Sequence, residues 1–148
     1  MIALITGSSS GIGKEMAKNL ATRGVNLILV ARRTERLLAL KEEIIYNCPE
    51  IKVKTITADL SKEEQCFGLY NKVKDYKIDF LFNNAGFGLY GPFLETDLKD
   101  ELSMINVNIK AVHILTKLFL RDFAARNSGY ILNTASVAGF MAGPLLAT

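Results

Sequence analysis

The feature that most constrains this 148-residue chain is a rhythm. Short apolar runs at Ile2 to Thr6, Leu27 to Val30, Val53 to Thr57, Phe80 to Phe82 and Tyr130 to Asn133 are separated by segments with helical spacing. Strands that are apolar throughout, rather than alternating with polar residues, imply burial on both faces. The pattern therefore points to βαβ units, an α/β fold with a mainly parallel sheet between two layers of helices. A chain of this length can bury about two-thirds of its unfolded surface, and with 49% apolar and 22% charged residues it has an ordinary globular balance. No repeat or low-complexity linker divides it, so residues 1–148 are expected to form one domain.

The intervening helices are legible from their ends and faces. Ser61 and Glu64 read as an S-x-x-E capping box ahead of a face formed by Phe67, Tyr70 and Val73. Thr34 precedes Leu37, Leu40 and Ile44 at helical spacing, Gly24 closes the first helix, and Ile12, Met16 and Leu20 are expected on that helix's inner side. The segment from Leu102 to Phe123 carries two stripes at 100° per residue: Leu102, Ile105, Ile109, Val112, Phe119 and Phe123 form one, and Val107, Ala111, Ile114 and Leu118 form another nearly opposite. One stripe can cover the sheet. The second calls for a helix from elsewhere in a longer chain or for a second subunit, unless the helix is simply sunk in the core.

Charge and cysteine content narrow the function. A net charge of +3 without any run of five or six basic residues gives no indication of nucleic-acid or membrane binding. Cys48 and Cys66 are far apart and lack ligand spacing, which reads as two reduced thiols with neither a disulfide framework nor a metal site. The N-terminus lacks a basic leader and no uncharged stretch reaches membrane-spanning length, so a soluble cytoplasmic protein is the expectation.

Directly after the first apolar run comes T6-G7-S8-S9-S10-G11-I12-G13. Glycines let the backbone turn tightly and approach a ligand, and N–H groups at the following helix start attract an anion such as phosphate. The G-x-x-x-x-G-K-[ST] loop is excluded by Ser8 and Glu15, and G-x-G-x-x-G fails at Met16. On its own, T-G-x-x-x-G-I-G leaves a phosphate loop and a plain glycine-rich turn both open.

Together with D59-L60 after the third run, N83-N84-A85-G86 after the fourth, N108-I109-K110-A111, and the serine that follows the fifth, this loop resembles the short-chain dehydrogenase/reductase family over essentially the whole chain. The resemblance implies a Rossmann-type three-layer αβα sandwich with strand order 3-2-1-4-5, shorter than the full family fold. It further implies a nicotinamide dinucleotide with its pyrophosphate over Gly7, Ser8, Ser9, Ser10, Gly11, Ile12 and Gly13, Asp59 and Leu60 beside the adenine, and Asn84, with Ala85 and Gly86, beside the ribose. The second run ends in A31-R32-R33, where an acidic residue would instead bind a free ribose 2′-hydroxyl. Arginine there can clamp a 2′-phosphate, so NADP(H) is expected over NAD(H), with Arg32 favoured over Arg33; two solvated arginines opening a helix is the competing reading.

The family chemistry is hydride transfer between nicotinamide and a small-molecule carbonyl or alcohol. It uses a serine, a tyrosine acid/base in Y-x-x-x-K, and an asparagine that supports a proton-relay water. An ammonium beside a phenol lowers its pKa towards neutrality. By resemblance Ser136 is the serine and Asn108 the asparagine. No Y-x-x-x-K follows Ser136, and the family spacing puts the tyrosine just past Thr148, so the 148 residues alone are expected to be inactive. Tyr90 and Tyr130 do not substitute, and His113 reads as structural. Ala135, Phe140 to Pro144, and F87-G88-L89-Y90-G91 border the expected substrate region by position. Pairing of identical subunits is expected through the helix around residues 102–123. A non-catalytic NADP(H)-binding or subunit-pairing module is the alternative function, and a ligand-free structural remnant a third.

Overall fold

The computed structural model describes residues 1–141 and 143–146; Ala142 and Thr148, both touched by the expectations above, lie outside the described residues. Five strands, β1 (Ile2–Thr6), β2 (Asn26–Ala31), β3 (Val53–Thr57), β4 (Phe80–Asn83) and β5 (Tyr130–Asn133), form one sheet in the order β3-β2-β1-β4-β5. All four pairings are parallel, with Leu4 opposite Ile28 and Leu81, and Phe82 opposite Leu132. Each apolar run read from the sequence is a strand.

Parallel neighbours cannot be joined by a hairpin, so each connection crosses a face of the sheet as a helix. On one face α1 (Gly11–Thr22) and α2 (Thr34–Asn47) pack Ala17, Ala21, Leu37, Leu40 and Ile44 onto Ala3, Ile5, Leu27, Leu29 and Phe82. On the other, α3 (Glu63–Val73) and the long helical segment after β4 pack Cys66, Leu69, Val73, Leu115 and Phe119 onto Leu4, Ile28, Val30, Ile56 and Leu81. The odd and even residues of β1 thus serve opposite cores, which is why the runs in the middle of the sheet are almost wholly apolar. The edge strands are the exceptions: β3 carries Lys54, Thr55 and an exposed Thr57, and on β5 Tyr130 and Leu132 are exposed. Glu43 ties α2 to α1 through Lys14 (3.1 Å) and Lys18 (2.6 Å). No described helix is long and apolar enough to cross a membrane.

Three expected helix faces are corrected. In α1 the buried residues are Gly13, Ala17 and Ala21, with Met16 and Leu20 only flanking the core and Ile12 63% exposed. Small residues turn inward there because the helix start lies hard against the backbone of the β1 loop. The Ser61–Glu64 capping box does not form. α3 begins at Glu63, and Ser61 donates both its N–H (3.1 Å) and its hydroxyl (2.8 Å) to Asp59 Oδ1, because an acceptor two residues upstream captures it first. The buried face of α3 is accordingly Cys66, Leu69 and Val73, with Phe67 exposed and Tyr70 half-buried. Thr34 opens α2 as expected, and Gly24, at φ +80°, closes the turn after α1 by donating to the Ala21 carbonyl.

The third correction concerns the long helix. It consists of α4 (Leu98–Ile105), a π-helical segment (Asn106–Ala111) and α5 (Val112–Ala125). Because π turns hold more residues than α turns, a stripe drawn at 100° per residue breaks across residues 106–111. Its upstream members Leu102, Ile105 and Ile109 are exposed while its downstream members Phe119 and Phe123 are buried. The core face runs instead through Met104, Val107, Ala111, Leu115, Phe119 and Phe123.

The two thiols differ in kind. Cys66 is buried, donates its Sγ–H to the Leu60 carbonyl at 3.6 Å, and burial together with Glu63, Glu64 and Asp59 raises its pKa to about 11. Cys48 is partly exposed. A thiolate-specific reagent at pH 8 is expected to modify Cys48 in the native protein and Cys66 only on unfolding; equal native rates in a timed thiol titration would contradict this packing.

Candidate functional site

In a parallel sheet every strand delivers its C-terminal end to the same edge. Here the connections from β1 and β4 leave to opposite sides, which opens a crevice between those two strands. A cleft of about 1330 Å³ occupies that edge, larger than the roughly 300–1,000 Å³ of a pocket for one drug-sized ligand.

The turn after β1 is held from below. Thr6, 1% exposed, donates its hydroxyl to the Phe82 carbonyl (3.2 Å) and accepts from the N–H groups of Asn84 (2.9 Å) and Ala85 (3.0 Å). Asn84 returns the contact, donating Nδ2 to the carbonyls of Thr6 (3.1 Å) and Gly7 (3.5 Å), and it accepts at Oδ1 from the Thr134 hydroxyl (3.1 Å). The loops after β1, β4 and β5 are thereby one unit. Two glycines make the approach possible. At Gly7, with φ +66°, a Cβ would stand 2.7 Å from Ala85 Cα, and at Gly13 it would stand 2.5 Å from Asn84 Nδ2 and 2.6 Å from the Gly7 carbonyl oxygen.

Of the residues singled out in the sequence, Gly7, Ser9, Ser10, Gly11, Ile12, Arg32, Arg33, Asp59, Leu60, Asn84, Ala85, Gly86, Asn108 and Ser136 all line this cleft. Ser8 and Gly13 do not. Ser8 is fully buried and donates both its N–H (3.2 Å) and its hydroxyl (3.3 Å) to the Val30 carbonyl, so its side chain fastens the loop to β2. Gly13 acts by letting α1 start close to Gly7. Leu60 is 6% exposed and belongs mainly to the core, while Asp59 uses Oδ1 to organise the turn into α3.

The arginines also part company. Arg33 donates from Nε (3.3 Å) and Nη2 (3.0 Å) to Ser9 Oγ and from Nη2 to Ser10 Oγ (2.8 Å). Arg32 lines the cleft with no side-chain hydrogen bond among the described residues. Thus the guanidinium brought onto the glycine loop is that of Arg33, not Arg32. No side-chain direction can be read from two adjacent arginines at a strand end; the serines opposite were the only available signal.

At the other end of the cleft, Asn108 sits in the π-helical segment. Its Nδ2 donates to the Phe87 carbonyl (2.8 Å) and its Oδ1 accepts the Phe87 N–H (3.1 Å), so both ends of the amide hold the loop after β4. Ser136 is exposed at the head of a 3-10 turn (Val137–Gly139), where its Oγ accepts from the Ala138 N–H at 3.1 Å. Beneath both, Asn83 donates from Nδ2 to Thr116 Oγ1 (3.0 Å) and Asn133 Oδ1 (2.9 Å), linking β4 to α5 and β5. Thr6 and Thr134 were missed as site-building residues, and Phe87 was placed beside the substrate region by position alone, since each acts through contacts some 20 to 80 positions away.

A five-stranded parallel sheet with a glycine turn at the crevice between β1 and β4 defines a Rossmann-type α/β domain. The family model for short chain dehydrogenases matches residues 1–148, and the chain belongs to that family. It is 37% identical over 150 residues to the very-long-chain 3-oxoacyl-CoA reductase of Coccidioides immitis, a match spanning 99% of this chain and 43% of that protein. The bulky-bulky ketone specific alcohol dehydrogenase of Comamonas testosteroni superposes with a TM-score of 0.93 at 31% identity, over 99% of this chain and 59% of the other. A short-chain dehydrogenase from Sphingobium yanoikuyae, solved in complex with NADPH, superposes with a TM-score of 0.89 at 34% identity, over 94% of this chain and 55% of that one. The chain therefore spans less than half the length of the curated reductase it matches.

Replacing Thr6 by valine keeps the shape but removes the acceptor for two N–H groups and the donor to Phe82. Each unmet buried group costs about 1–3 kcal/mol, so Thr6→Val is expected to lower unfolding free energy in urea by roughly 2–4 kcal/mol. Thr6→Ser should lose less than half of that, and equal losses would place the effect in packing rather than in the hydroxyl.

Proposed function

We propose that this chain carries the nucleotide-binding and serine-bearing part of an NADP(H)-dependent oxidoreductase acting on a small-molecule carbonyl or the corresponding alcohol. The observation that carries the reading is convergence on one cleft. A glycine turn open to an anion and the Arg33 guanidinium, with no carboxylate ending β2, occupy one side, and Ser136 and Asn108 occupy the other. The turn fits a dinucleotide: Gly11, at φ +55° on the cleft wall, has nothing within 4 Å of where its Cβ would stand, so its backbone is open to a ligand.

When bound, the nicotinamide supplies the hydride or accepts it. Around it, N–H groups at the start of α1 would hold the pyrophosphate, Asp59 and Leu60 would flank the adenine, and Asn84, Ala85 and Gly86 would bound the ribose. The Ser136 oxygen accepts from Ala138 and keeps its own proton for a substrate oxygen. Asn108 holds the cleft wall through Phe87 and would support a proton-relay water from that position. Within 148 residues no Y-x-x-x-K follows Ser136, so turnover by these residues alone is expected to be undetectable.

Charge is distributed unevenly along the cleft, and this supports a substrate class. Arg32, Arg33 and Asp59 all follow β2 or β3, whereas the opposite end is lined by Phe87, Leu89, Ile105, Ile109, Phe140, Met141 and Leu146. A neutral carbonyl on a bulky hydrocarbon body suits such a wall. The names of the Coccidioides reductase and the Comamonas dehydrogenase, which describe a fatty thioester and a bulky ketone, agree with it.

Thermal scanning with cofactor tests the reading. At a hundredfold excess over Kd a ligand stabilises by about 2.7 kcal/mol, so NADPH is expected to raise Tm by roughly 5–10 °C and NADH at equal concentration by less than half as much. No shift with either nucleotide would overturn the proposal. NADPH binding in a longer natural form, without turnover of any carbonyl tried, would favour a non-catalytic binding module.

Leu98 and Leu102 on α4 are 65% and 50% exposed and lie outside the cleft lining, which supports pairing of identical subunits through this face. The surface is thus centred on α4, at the start of the expected 102–123 helix, rather than on the whole of it. A dimer by light scattering, reduced to monomer by Leu102→Glu, is the expected result; a monomeric wild type excludes the pairing. The two unpaired thiols suit a reducing cytoplasm.

A further inference from the structure

The large apolar residues that α4 and the π-helical segment leave exposed divide into two pairs. Leu98 and Leu102 stand outside the cleft, whereas Ile105 and Ile109, 39% and 64% exposed, line it. The four follow one another in steps of four, three and four residues. That is the spacing of a seam by which one helix packs along another, and residues three or four apart on a helix are direct neighbours. The pairing face and the greasy end of the cleft are therefore two ends of one strip. Its members are all uncharged, and Glu101, which lies between them in sequence, is buried and accepts from the Thr96 hydroxyl. Leu98 and Leu102 are about 6 Å apart along the axis, while a helix with its side chains is about 10–12 Å across. A helix centred on that pair thus reaches the side chain of Ile105, which leans back toward the helix start.

We propose that a second copy of this chain, seated along the strip, supplies the outer wall of the greasy end of the cleft, so that a long apolar ligand and the paired state strengthen each other. The inference rests on the pairing and hydrocarbon readings above. The strip itself argues for the occupant. Apolar side chains at seam spacing are complementary to a copy of themselves about a two-fold axis, and with no charge among them two copies meet without burying an unpaired one. Exposure sets the sign of the linkage. In a single chain a hydrocarbon lying on Ile105 and Ile109 keeps one flank in water, and the apolar face of a second α4 takes that flank out of water. Whatever the second copy adds to ligand affinity, the ligand adds equally to pairing. A ligand too short to reach Ile105 gains nothing, so the linkage depends on chain length.

The test measures pairing and ligand binding on the same protein. Sedimentation across a dilution series gives the dimer dissociation constant of the chain alone, with saturating butanone and with saturating undecanone, both straight-chain methyl ketones. Calorimetry gives the affinity for each ketone at protein concentrations where single chains or pairs prevail. Undecanone is expected to tighten pairing about tenfold for each ligand bound, the scale of two further buried methylene groups, and to bind pairs about tenfold more tightly than single chains. Butanone should change pairing less than about twofold. Leu102→Glu should hold undecanone at its single-chain affinity at every concentration, and Ile109→Ser should weaken undecanone in single chains and pairs alike. Undecanone bound as tightly by Ile109→Ser as by the wild type places the ligand off the strip and overturns the inference. Wild-type affinities within threefold for single chains and pairs also overturn it, while leaving the pairing and hydrocarbon readings standing. So does undecanone that weakens pairing, because ligand and second copy then compete for the strip. Chains that stay single at all concentrations remove the pairing reading and this inference with it, and pairs that bind neither ketone remove the hydrocarbon reading instead.

Discussion

Main chain pressed against main chain, where the turn after β1 meets the start of the loop after β4, is the constraint from which the rest of the site follows. Gly7 and Gly13 leave no room for a side chain against Ala85, Asn84 and one another, and the Thr6 hydroxyl closes the gap with three hydrogen bonds. Because Asn84 then reaches Thr134, the same contact sets where the chain leaves β5 and so where Ser136 stands. A cleft assembled from five strand ends needs such a keystone. Each strand is fixed by its ladder, but the loops beyond have only these side-chain and backbone contacts to place them.

Much of the fold was legible because burial on both faces leaves an unambiguous mark, the apolar run, and all five runs are strands. Helix faces were less so. The inner face of α1 is small rather than large because it abuts backbone, and a rule that seeks Ile12, Met16 and Leu20 inside mistakes close packing for its absence. The start of α3 was misread for a local reason, since Ser61 had a nearer partner in Asp59 than the helix it was expected to cap. In the site, the motifs of the family resemblance supplied sixteen candidates, and fourteen of them line the cleft. They could not tell which way a side chain turns: Ser8 downward, Arg33 onto the serines, Asn108 onto Phe87.

The cleft is polar and charged at one end and greasy at the other, and the division coincides with topology. Residues following β2 and β3 supply every charged group among the described lining residues. Residues following β4 and β5, with the π-helical segment, supply the apolar wall. In the function proposed above, a nucleotide's charged and adenine-bearing portion and a substrate's hydrocarbon would thus meet different walls of one sheet. The reacting groups would lie at the seam, where water is easiest to exclude from one side and polar donors are nearest on the other.

The π-helical segment between α4 and α5 acts as a phase offset stored in the backbone. Upstream of it the helix shows Leu98, Leu102 and Ile105 to solvent, and downstream it commits Leu115, Phe119 and Phe123 to the sheet. A uniform α-helix of this composition would bring these two sets into conflict over a single azimuth. One surplus residue per wide turn decouples them, so the outward surface can change its character without reseating the inward one. By the same token, loss of a single residue between Asn106 and Ala111 would let the wide turn close to an ordinary α turn with both halves of the rod keeping their faces, whereas the same loss within α5 would swing everything beyond it by about 100°, exchanging interior for exterior with no change of amino-acid type at any other position.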